Sequence, residues 1–378
     1  MGALKCQTHH IQTVASNLKM NRVIQILIIL FFFISCNKDD INEPIPENGN
    51  LKFISAVDIS RYPEISNSNP IFYDKNGNQN NFLNILKQNG VNTVRLRLWV
   101  NPINEHSGFN EVKQFSQTLK TNGFKTWLTL HYSDTWADPA QQEIPMQWQG
   151  ISFSQLKDSV YNYTEKIMTE LQPDYIQIGN EINSGFLHPY GHISNNFQQF
   201  KELLNMGITA VRANSNDSKI ILHFAGNEGS DWFFNQVSVL DYDIIGLSYY
   251  PKWHGKSLNN LKIKMKYLSE THNKKILIAE TAYPFTLEWN DWTNNIVGLD
   301  EQLILPEYPA TIEGQRKFIN QIKKLTKEVE NGIGFCYWGA ELIAWKGNQS
   351  TDASPWENQA IFDFNNKALP VLSEFIIE

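Results

Sequence analysis

The chain has 378 residues, a formal net charge of −7 and an aromatic content of 12%, with eleven tryptophans. The length suffices for one large catalytic domain. The acidic balance argues against nucleic acid or an anionic lipid surface as a partner. Only three cysteines occur, Cys6, Cys36 and Cys336, which excludes a disulfide framework. The many aromatic side chains would suit a sugar-binding cleft, because pyranose rings stack on flat apolar faces.

Residues 1–36 are predicted to be an export signal of the lipoprotein type. Met20 and Arg22 open a short positive start, an apolar run follows from Val23 to Ile34, and Ser35 and Cys36 come directly after it. A run of about a dozen residues is too short to span a bilayer. The pattern resembles a bacterial lipoprotein signal that is cleaved before a lipid-bearing Cys36. Translation would then start at Met20, whereas an ordinary secretory signal or a buried helix is the alternative.

Residues 37–50 are predicted to be a flexible tether, since they are rich in Pro, Asn and Glu and have no apolar periodicity. The Lys38-Asp39-Asp40 run resembles the surface-export signal of Bacteroidetes lipoproteins. It implies an outer-membrane lipoprotein exposed on the surface of a Gram-negative bacterium, although such a run can be a plain solvated linker. A monomer is expected, held at the membrane through the lipid on Cys36.

Residues 51–378 show eight short apolar segments that alternate with segments of helical periodicity. Strands are predicted at residues 53–58, 91–99, 126–131, 175–181, 220–224, 244–250, 276–280 and 334–338. Helices are predicted at residues 82–88, 112–121, 153–171, 197–212, 258–271 and 312–330. Strict alternation indicates a parallel sheet with right-handed crossovers, and eight units favour a closed (β/α)8 TIM barrel. An open doubly wound sheet is the alternative, but no Gly-rich phosphate loop follows the first strand.

Polar or aromatic residues follow nearly every predicted strand, where a barrel carries its chemistry. They are Asp58, Arg97, Trp99, His131, Asp134, Asn180, Glu181, Tyr249, Tyr250, Glu280 and Trp338. Side chains alternate between the barrel interior and the helix layer. This alternation places Arg95 and Arg97 inside and favours Tyr250 over Tyr249 as a site residue.

Two of these residues are glutamates at the ends of separate strands. Glu181 follows the fourth predicted strand and Glu280 ends the seventh. A retaining glycosidase needs two carboxyl groups, one as general acid and base and one as nucleophile. For each glutamate the alternative is a structural ion pair or a helix cap.

Several motifs together resemble glycoside hydrolase family 53, the endo-β-1,4-galactanases, which are retaining TIM-barrel enzymes with glutamates on strands four and seven. The motifs are VNTVRLRLWVNP (91–102), HYSDTWADP (131–139), QIGNEIN (177–183), GLSYYP (246–251), WHG (253–255) and AET (279–281). The resemblance extends from about residue 58 to residue 338.

The resemblance implies roles for the residues at the strand ends. Glu181 would be the acid/base and Glu280 the nucleophile that forms a covalent galactosyl intermediate, with Asn180 bonding the sugar 2-hydroxyl. Arg97 and Tyr250 would keep Glu280 ionised and oriented. His131 would bind near the cleaved sugar, and Trp338 would form the floor of that subsite. A purely structural role is the alternative for His131, and also for Arg95.

Loop residues beyond the strand ends are candidates for further substrate binding, namely Asp134, Trp136, Asp138, Trp253 and His254. The long loop 282–311 is expected to be functional. In bacterial relatives this loop can carry calcium on acidic and histidine ligands. Residues 288–294 offer oxygen atoms but no histidine, so calcium stays open, no metal ligand is assigned and no cofactor is required.

The expected reaction is endo-acting, retaining hydrolysis of β-1,4-galactan, the type I arabinogalactan side chains of pectin. Another glycosidase of the same clan, a β-mannanase or β-glucanase, is the first alternative, because the catalytic pair is shared and loop residues choose the sugar. A non-catalytic glycan-binding lipoprotein is the second. The presence of both Glu181 and Glu280 argues against it.

Overall fold

Eight parallel strands close into a barrel in the computed structural model, which describes residues 52–377. In chain order they are β1 (Ile54–Asp58), β2 (Thr93–Leu98), β3 (Lys125–Leu130), β4 (Tyr175–Ile178), β5 (Lys219–Ala225), β6 (Ile244–Ser248), β7 (Lys275–Thr281) and β8 (Gly332–Trp338). Each strand pairs with the next, and β8 pairs with β1. The predicted TIM barrel is confirmed and the open sheet is excluded. The signal segment, Cys36 and the tether lie outside the described residues.

Helices pack around the barrel between successive strands. They span Phe82–Gln88, Phe109–Thr121, Phe153–Leu171, Ile193–Asn214, Ser230–Val237, Leu258–His272 and Ile312–Lys327, with short helices at Tyr62–Ser66 and Pro251–His254. Local chemistry fixes several of their starts. The Asn81 side chain accepts hydrogen bonds from the backbone of the first turn, and Ser152 forms a reciprocal capping box with Gln155. Among the described residues, no helix is both long and apolar enough to cross a membrane.

One helix, Ser230–Val237, has no counterpart among the predicted helices. It spans only eight residues, and its N-cap is Gly229 in a left-handed conformation, without a capping side chain. Phe233 and Phe234 pack into the core, whereas Trp232 is half exposed. Tertiary packing of two aromatic rings therefore stabilises a segment whose sequence lacks the usual start signal.

The barrel interior is apolar below the carboxyl ends of its strands. The cluster comprises Ile54, Ala56, Trp127, Tyr175, Ile221, Ile244, Leu277, Ala279, Ile333 and Cys336. Directly above it, the interior positions carry polar side chains, including Arg95, Gln177 and His223, all of which are buried. Because buried polar groups must be hydrogen-bonded, this layer is forced into a connected network.

Two departures from regular strand geometry position the glutamates. β4 ends at Ile178, because Gly179 has a φ of +80° and Glu181 a φ of +46°; the predicted extension of this strand to residue 181 was wrong. In β7, Ile278 pairs with Leu247 and Glu280 pairs with Ser248, which leaves Ala279 as an extra residue. This bulge lets Ala279 and Glu280 both lie on the interior side, contrary to strict alternation.

Candidate active site

A cleft of about 710 Å³ opens at the carboxyl ends of the strands. Of the residues predicted to form the site, it is lined by Arg97, His131, Trp136, Asp138, Asn180, Glu181, Tyr250, Trp253, His254, Glu280 and Trp338. Their side chains come from six of the eight strand ends or the loops that follow them. The cleft is thus the place where the predicted polar residues meet.

Glu181 and Glu280 face each other across this cleft. A carboxyl oxygen of Glu181 lies within 4.8 Å of a carboxyl oxygen of Glu280. Retaining glycosidases keep their two carboxyl groups roughly 5–5.5 Å apart, whereas inverting enzymes leave roughly 6.5–9.5 Å for a water molecule. The spacing fits direct attack on the sugar and leaves no room for an inverting water.

The environments of the two glutamates differ. Burial, followed by the nearby charge of Glu280, raises the pKa of Glu181 to about 8. Burial also raises the pKa of Glu280, but the adjacent Arg95 and Tyr250 oppose this rise. Two carboxylates this close repel each other, so the one paired with the arginine carries the charge and the other holds the proton.

Arg95 is the side chain that holds Glu280. Its Nη2 lies 2.8 Å from Glu280 Oε1 and donates to Asn180 Oδ1 at 2.8 Å, while its Nη1 donates to Asp58 Oδ2 at 2.8 Å. Burial disfavours its charge, but Glu280 and Asp58 more than offset this effect and raise the pKa of Arg95. The Tyr250 hydroxyl donates to Glu280 Oε2 at 3.1 Å. Both oxygens of Glu280 are therefore fixed.

The predicted contact between Arg97 and Glu280 is corrected by this arrangement. Arg97 instead lies between two indole rings, 4.4 Å from the Trp99 centroid and 3.9 Å from that of Trp136, and its Nε donates to Ser107. Side-chain alternation correctly placed both arginines in the barrel interior, but it does not give their positions along the barrel axis. Arg95 stands in register with Asp58, one level deeper than Arg97. Arg97 stabilises the aromatic wall of the cleft.

Asn180 and His131 have defined hydrogen-bonding states. Asn180 accepts from Arg95 through Oδ1 and donates through Nδ2 to the Ala137 carbonyl at 2.8 Å. The backbone N–H of Ala137 donates to His131 Nδ1 at 3.1 Å. Burial, then Arg97 and Arg95, keep the pKa of His131 well below its usual value. His131 is therefore neutral, and its Nε2 carries the proton.

Glu181 lies against two residues that the sequence interpretation did not assign to the site. The Ser248 hydroxyl donates to Glu181 Oε1 at 2.5 Å, and His223 Nε2 lies 2.9 Å from Ser248 Oγ. Both lie at interior positions near the ends of β5 and β6, so the alternation that favoured Tyr250 could also have identified them. Glu181, His223 and Glu280 are close enough to share a metal ion. Both ring nitrogens of His223 already have hydrogen-bond partners, however, so the group fits a hydrogen-bond network better.

Indole rings form one side of the cleft. The centroid of Trp338 lies 6.0 Å from that of Trp136 and 4.6 Å from that of Trp356, and Trp356 also packs near Trp253 and Tyr250. Trp356 follows the last strand by eighteen positions and had no periodic signal to reveal it. The half-exposed Trp253 continues this apolar surface toward solvent. Such faces suit the stacking of sugar rings.

Asp134 lies outside the cleft, contrary to its prediction as a substrate-binding residue. Its two carboxylate oxygens accept the backbone N–H groups of Asn101 and Met146 at 2.9 and 2.7 Å. Loop N–H groups without ladder partners bind short carboxylates in this way. Asp138 also accepts backbone N–H groups, from Ala140 and Gln141, but it remains on the cleft wall. His254 lines the cleft too, and its Nδ1 accepts the Tyr250 N–H.

A TIM barrel with two facing glutamates at its catalytic mouth defines a glycoside hydrolase. The chain belongs to glycosyl hydrolase family 53, whose model matches residues 54–375. It is 34% identical to an arabinogalactan endo-β-1,4-galactanase of Cellvibrio japonicus, over 86% of this chain and 91% of that protein. It is 30% identical to an endo-β-1,4-galactanase of Bacillus subtilis, over 87% of this chain and 86% of that protein.

Solved structures give the same result. The catalytic domain of a family 53 protein from Ignisphaera aggregans superposes with a TM-score of 0.81 at 37% identity, covering 87% of this chain and 97% of that chain. A fungal β-1,4-galactanase superposes with a TM-score of 0.74 at 29% identity, covering 85% of this chain and 98% of that chain. The resemblance seen in the sequence motifs is therefore confirmed.

Replacing Arg95 with lysine tests the role of its forked side chain. Lysine keeps the charge, but as a point donor it cannot bridge Asp58, Asn180 and Glu280 together. We expect the Arg95→Lys variant to lose at least roughly 100-fold in kcat, since a misplaced nucleophile costs about that much. Steady-state hydrolysis of a glycoside measures this loss. The Arg316→Lys variant, altered at a surface ion pair, serves as control; equal kcat values for both variants would contradict the assignment.

Proposed function

We propose that this protein is an endo-acting galactanase that hydrolyses the β-1,4 linkages of galactan with retention of configuration. The observation that carries the proposal is the pair Glu181 and Glu280, whose carboxyl oxygens lie within 4.8 Å. The galactanases of Cellvibrio japonicus and Bacillus subtilis support the choice of substrate, since this chain matches most of their length. The wall of indole rings offers stacking surfaces for successive sugars.

In the first step Glu280 attacks the anomeric carbon. A Glu280 oxygen forms a bond with C1 while the bond from C1 to the glycosidic oxygen breaks. The proton of Glu181 moves to that oxygen, so the leaving chain departs as an alcohol and Glu181 becomes a carboxylate. Arg95 and Tyr250 keep Glu280 oriented for attack until its charge is consumed.

In the second step water takes the place of the departed chain. Glu181, now a carboxylate, removes a proton from this water as its oxygen attacks C1, and the bond between C1 and Glu280 breaks. Two inversions give net retention. The neutral His131 presents its Nε2–H and Trp338 its ring to the sugar at the cleaved linkage.

Incubation with linear β-1,4-galactan tests the function. We expect reducing ends to appear together with a rapid fall in mean chain length, and NMR should detect the β-anomer first. β-1,4-Mannan and cellulose are the comparison substrates. Release from either of these and not from galactan would assign the protein to another specificity, and binding without release from any of them would indicate a glycan-capture protein.

Two variants separate the proposed roles of the glutamates in the same assay. Without a nucleophile, Glu280→Ala should lose at least roughly 1,000-fold in kcat. Azide should restore turnover and give the inverted glycosyl azide, because a small anion fits the space of the lost carboxylate. Glu181→Ala should retain cleavage only of substrates with very good leaving groups. Near-normal hydrolysis of galactan by Glu280→Ala would overturn the assignment.

The two-carboxylate reaction needs no cofactor, but the loops after β7 and β8 have features that fit a structural cation. In the described part of the chain, Asp291 Oδ2 and Glu357 Oε2 are buried without a hydrogen-bond partner, as are the amide oxygens of Asn295 and Asn358. Burial, together with the nearby Asp291, raises the pKa of Glu357. Oxygen atoms of carboxylates and amides are the ligands that Ca²⁺ prefers. We propose that calcium binds here and stabilises the loops.

Chelation tests this proposal. A ligand that binds only the folded state raises its melting temperature, so EDTA should lower the Tm by roughly 3–5 °C and excess CaCl2 should restore it. Differential scanning calorimetry measures the shift. Asp291→Ala should abolish the response to CaCl2. If the Tm of the unaltered protein stayed constant in both solutions, no cation would bind at this place.

The leader implies a location on the cell surface, and we propose lipidation at Cys36 as the anchor. Support comes from the apolar run of residues 23–34, which Ser35 separates from this cysteine, and from the charged residues behind it. Metabolic labelling with an alkyne fatty acid should mark the unaltered protein and fail to mark Cys36→Ala. Protease added to intact cells should digest the labelled protein. Labelling of the variant would contradict lipidation, and resistance to protease would place the enzyme inside the envelope.

A further inference from the structure

The acid/base glutamate touches a chain of hydrogen bonds that runs inward from the cleft. Ser248 Oγ lies 2.5 Å from Glu181 Oε1, and His223 Nε2 lies 2.9 Å from Ser248 Oγ. At its inner end, Gln177 Nε2 lies 3.0 Å from His223 Nδ1. Ser248 and His223 are fully buried. A hydroxyl and an imidazole can each reverse their donor and acceptor roles, so the direction of the chain decides which oxygen of Glu181 can hold the proton.

At the inner end of this chain of hydrogen bonds, groups that can only donate or only accept determine the direction of each bond. The carbonyl of Gly179 accepts from Gln177 Nε2 at 3.0 Å, and Arg95 donates to Gln177 Oε1 at 3.4 Å. The amide of Gln177 therefore presents its nitrogen to His223. The backbone N–H of Glu181, which can only donate, also points at His223 Nδ1, at 3.4 Å. The Asn180 Oδ1 atom also lies 3.2 Å from Nδ1, but it already accepts hydrogen bonds from Arg95 at 2.8 Å and from Gln177 at 3.1 Å. Since its remaining neighbours are two donors, Nδ1 is the acceptor nitrogen.

The remaining directions follow from the neutral imidazole. Burial, then the charge of Arg95, hold the pKa of His223 well below its usual value. A neutral ring with an acceptor at Nδ1 carries its proton on Nε2, which donates to Ser248 Oγ. Ser248 then directs its own hydrogen to Glu181 Oε1. The carbonyl oxygen of a protonated carboxyl is a better acceptor than its hydroxyl oxygen, so this hydrogen bond to Oε1 favours the acidic proton on Oε2.

We propose that Ser248 and His223 are positioning residues that confine the catalytic proton to Oε2 of Glu181. The inference rests on the acid/base role proposed for Glu181. The backbone supports it, because the positive φ of Gly179 and Glu181 and the hydrogen bond from Ile182 N to His223 O hold this turn against β5. Proton delivery to the glycosidic oxygen, and its recovery from water, then both occur through one oxygen on one side of the sugar.

The chain of hydrogen bonds through Ser248 also affects the pKa of Glu181. A hydrogen bond donated to a carboxylate stabilises the charged form, so Ser248 opposes the rise in the pKa of Glu181 that burial and Glu280 cause. The other groups facing Glu181 are Arg95 on β2, which also opposes the rise, Asp138 in the loop after β3, His223 on β5 and Tyr250 after β6.

The pH dependence of Ser248→Ala tests the proposal. Without the hydroxyl the protonated acid persists to higher pH, so the alkaline limb of kcat/KM on galactan should move upward by roughly one pH unit. The value of kcat at the optimum should fall roughly tenfold or more, since the proton is no longer confined. Ser248→Thr restores a hydroxyl and should return the alkaline limb toward its original position. Ser269→Ala, a buried serine in the outer helix Leu258–His272, is the control and should leave the profile unchanged.

The ring of His223 provides a test that needs no substrate. Long-range proton–nitrogen NMR of the unaltered, ¹⁵N-histidine-labelled protein should show a neutral ring protonated at Nε2, and His223→Phe assigns the signal. A ring protonated at Nδ1 would overturn the inference, and so would a Ser248→Ala alkaline limb at its original pH in an enzyme that cleaves galactan. If the unaltered protein failed to cleave galactan, the proposed function would fail, whereas the tautomer would still decide the direction of the chain.

Discussion

The ion pair between Arg95 and Glu280 is the interaction on which the rest of the site depends. Arg95 is only 2% exposed and contacts groups from β1, the turn after β4 and β7. A buried guanidinium is tolerated only where carboxylates neutralise it, and here Asp58 and Glu280 both pair with it. One cation thus fixes the negative charge on the nucleophile. By doing so it makes ionisation of the nearby Glu181 unfavourable, which gives the two glutamates different tasks.

The sequence predicted the barrel because its periodicity is strong and repeated. Eight apolar segments separated by amphipathic ones leave little choice but a closed parallel sheet, and the helices Phe82–Gln88 and Phe153–Leu171 have their predicted bounds. The helix Ser230–Val237 could not be predicted in the same way, because it depends on burial of Phe233 and Phe234 in tertiary contacts. Hydrophobic periodicity identifies the buried face of a helix, and a helix of eight residues has too few turns to define such a face.

The sequence predicted which residues form the candidate site better than it predicted the contacts between them. Strand-end position was enough to select Glu181 and Glu280 for the cleft, and side-chain alternation added Tyr250. It could not tell that Arg95 and not Arg97 reaches Glu280, because alternation gives the direction of a side chain and says nothing about its height in the barrel. The bulge at Ala279 was equally invisible, since an extra residue changes the alternation without changing the composition. Asp134 illustrates the remaining limit: backbone donors in a loop compete for a carboxylate, and only the folded loop shows which of them bind it.

The shifted pKa values of the groups around the two glutamates determine which groups in the site can exchange a proton. The ring of His223 resists protonation, and burial keeps the Tyr250 hydroxyl from ionising, its pKa lying well above the usual value. Of the two carboxyls and the groups in direct contact with them, Glu181 is the one whose pKa, about 8, lies near neutral pH. The pair therefore works as a store for a single exchangeable hydrogen ion surrounded by neighbours of constant charge. The ion can leave with the departing sugar and be replaced from water, and no third group has to release or take up one in between.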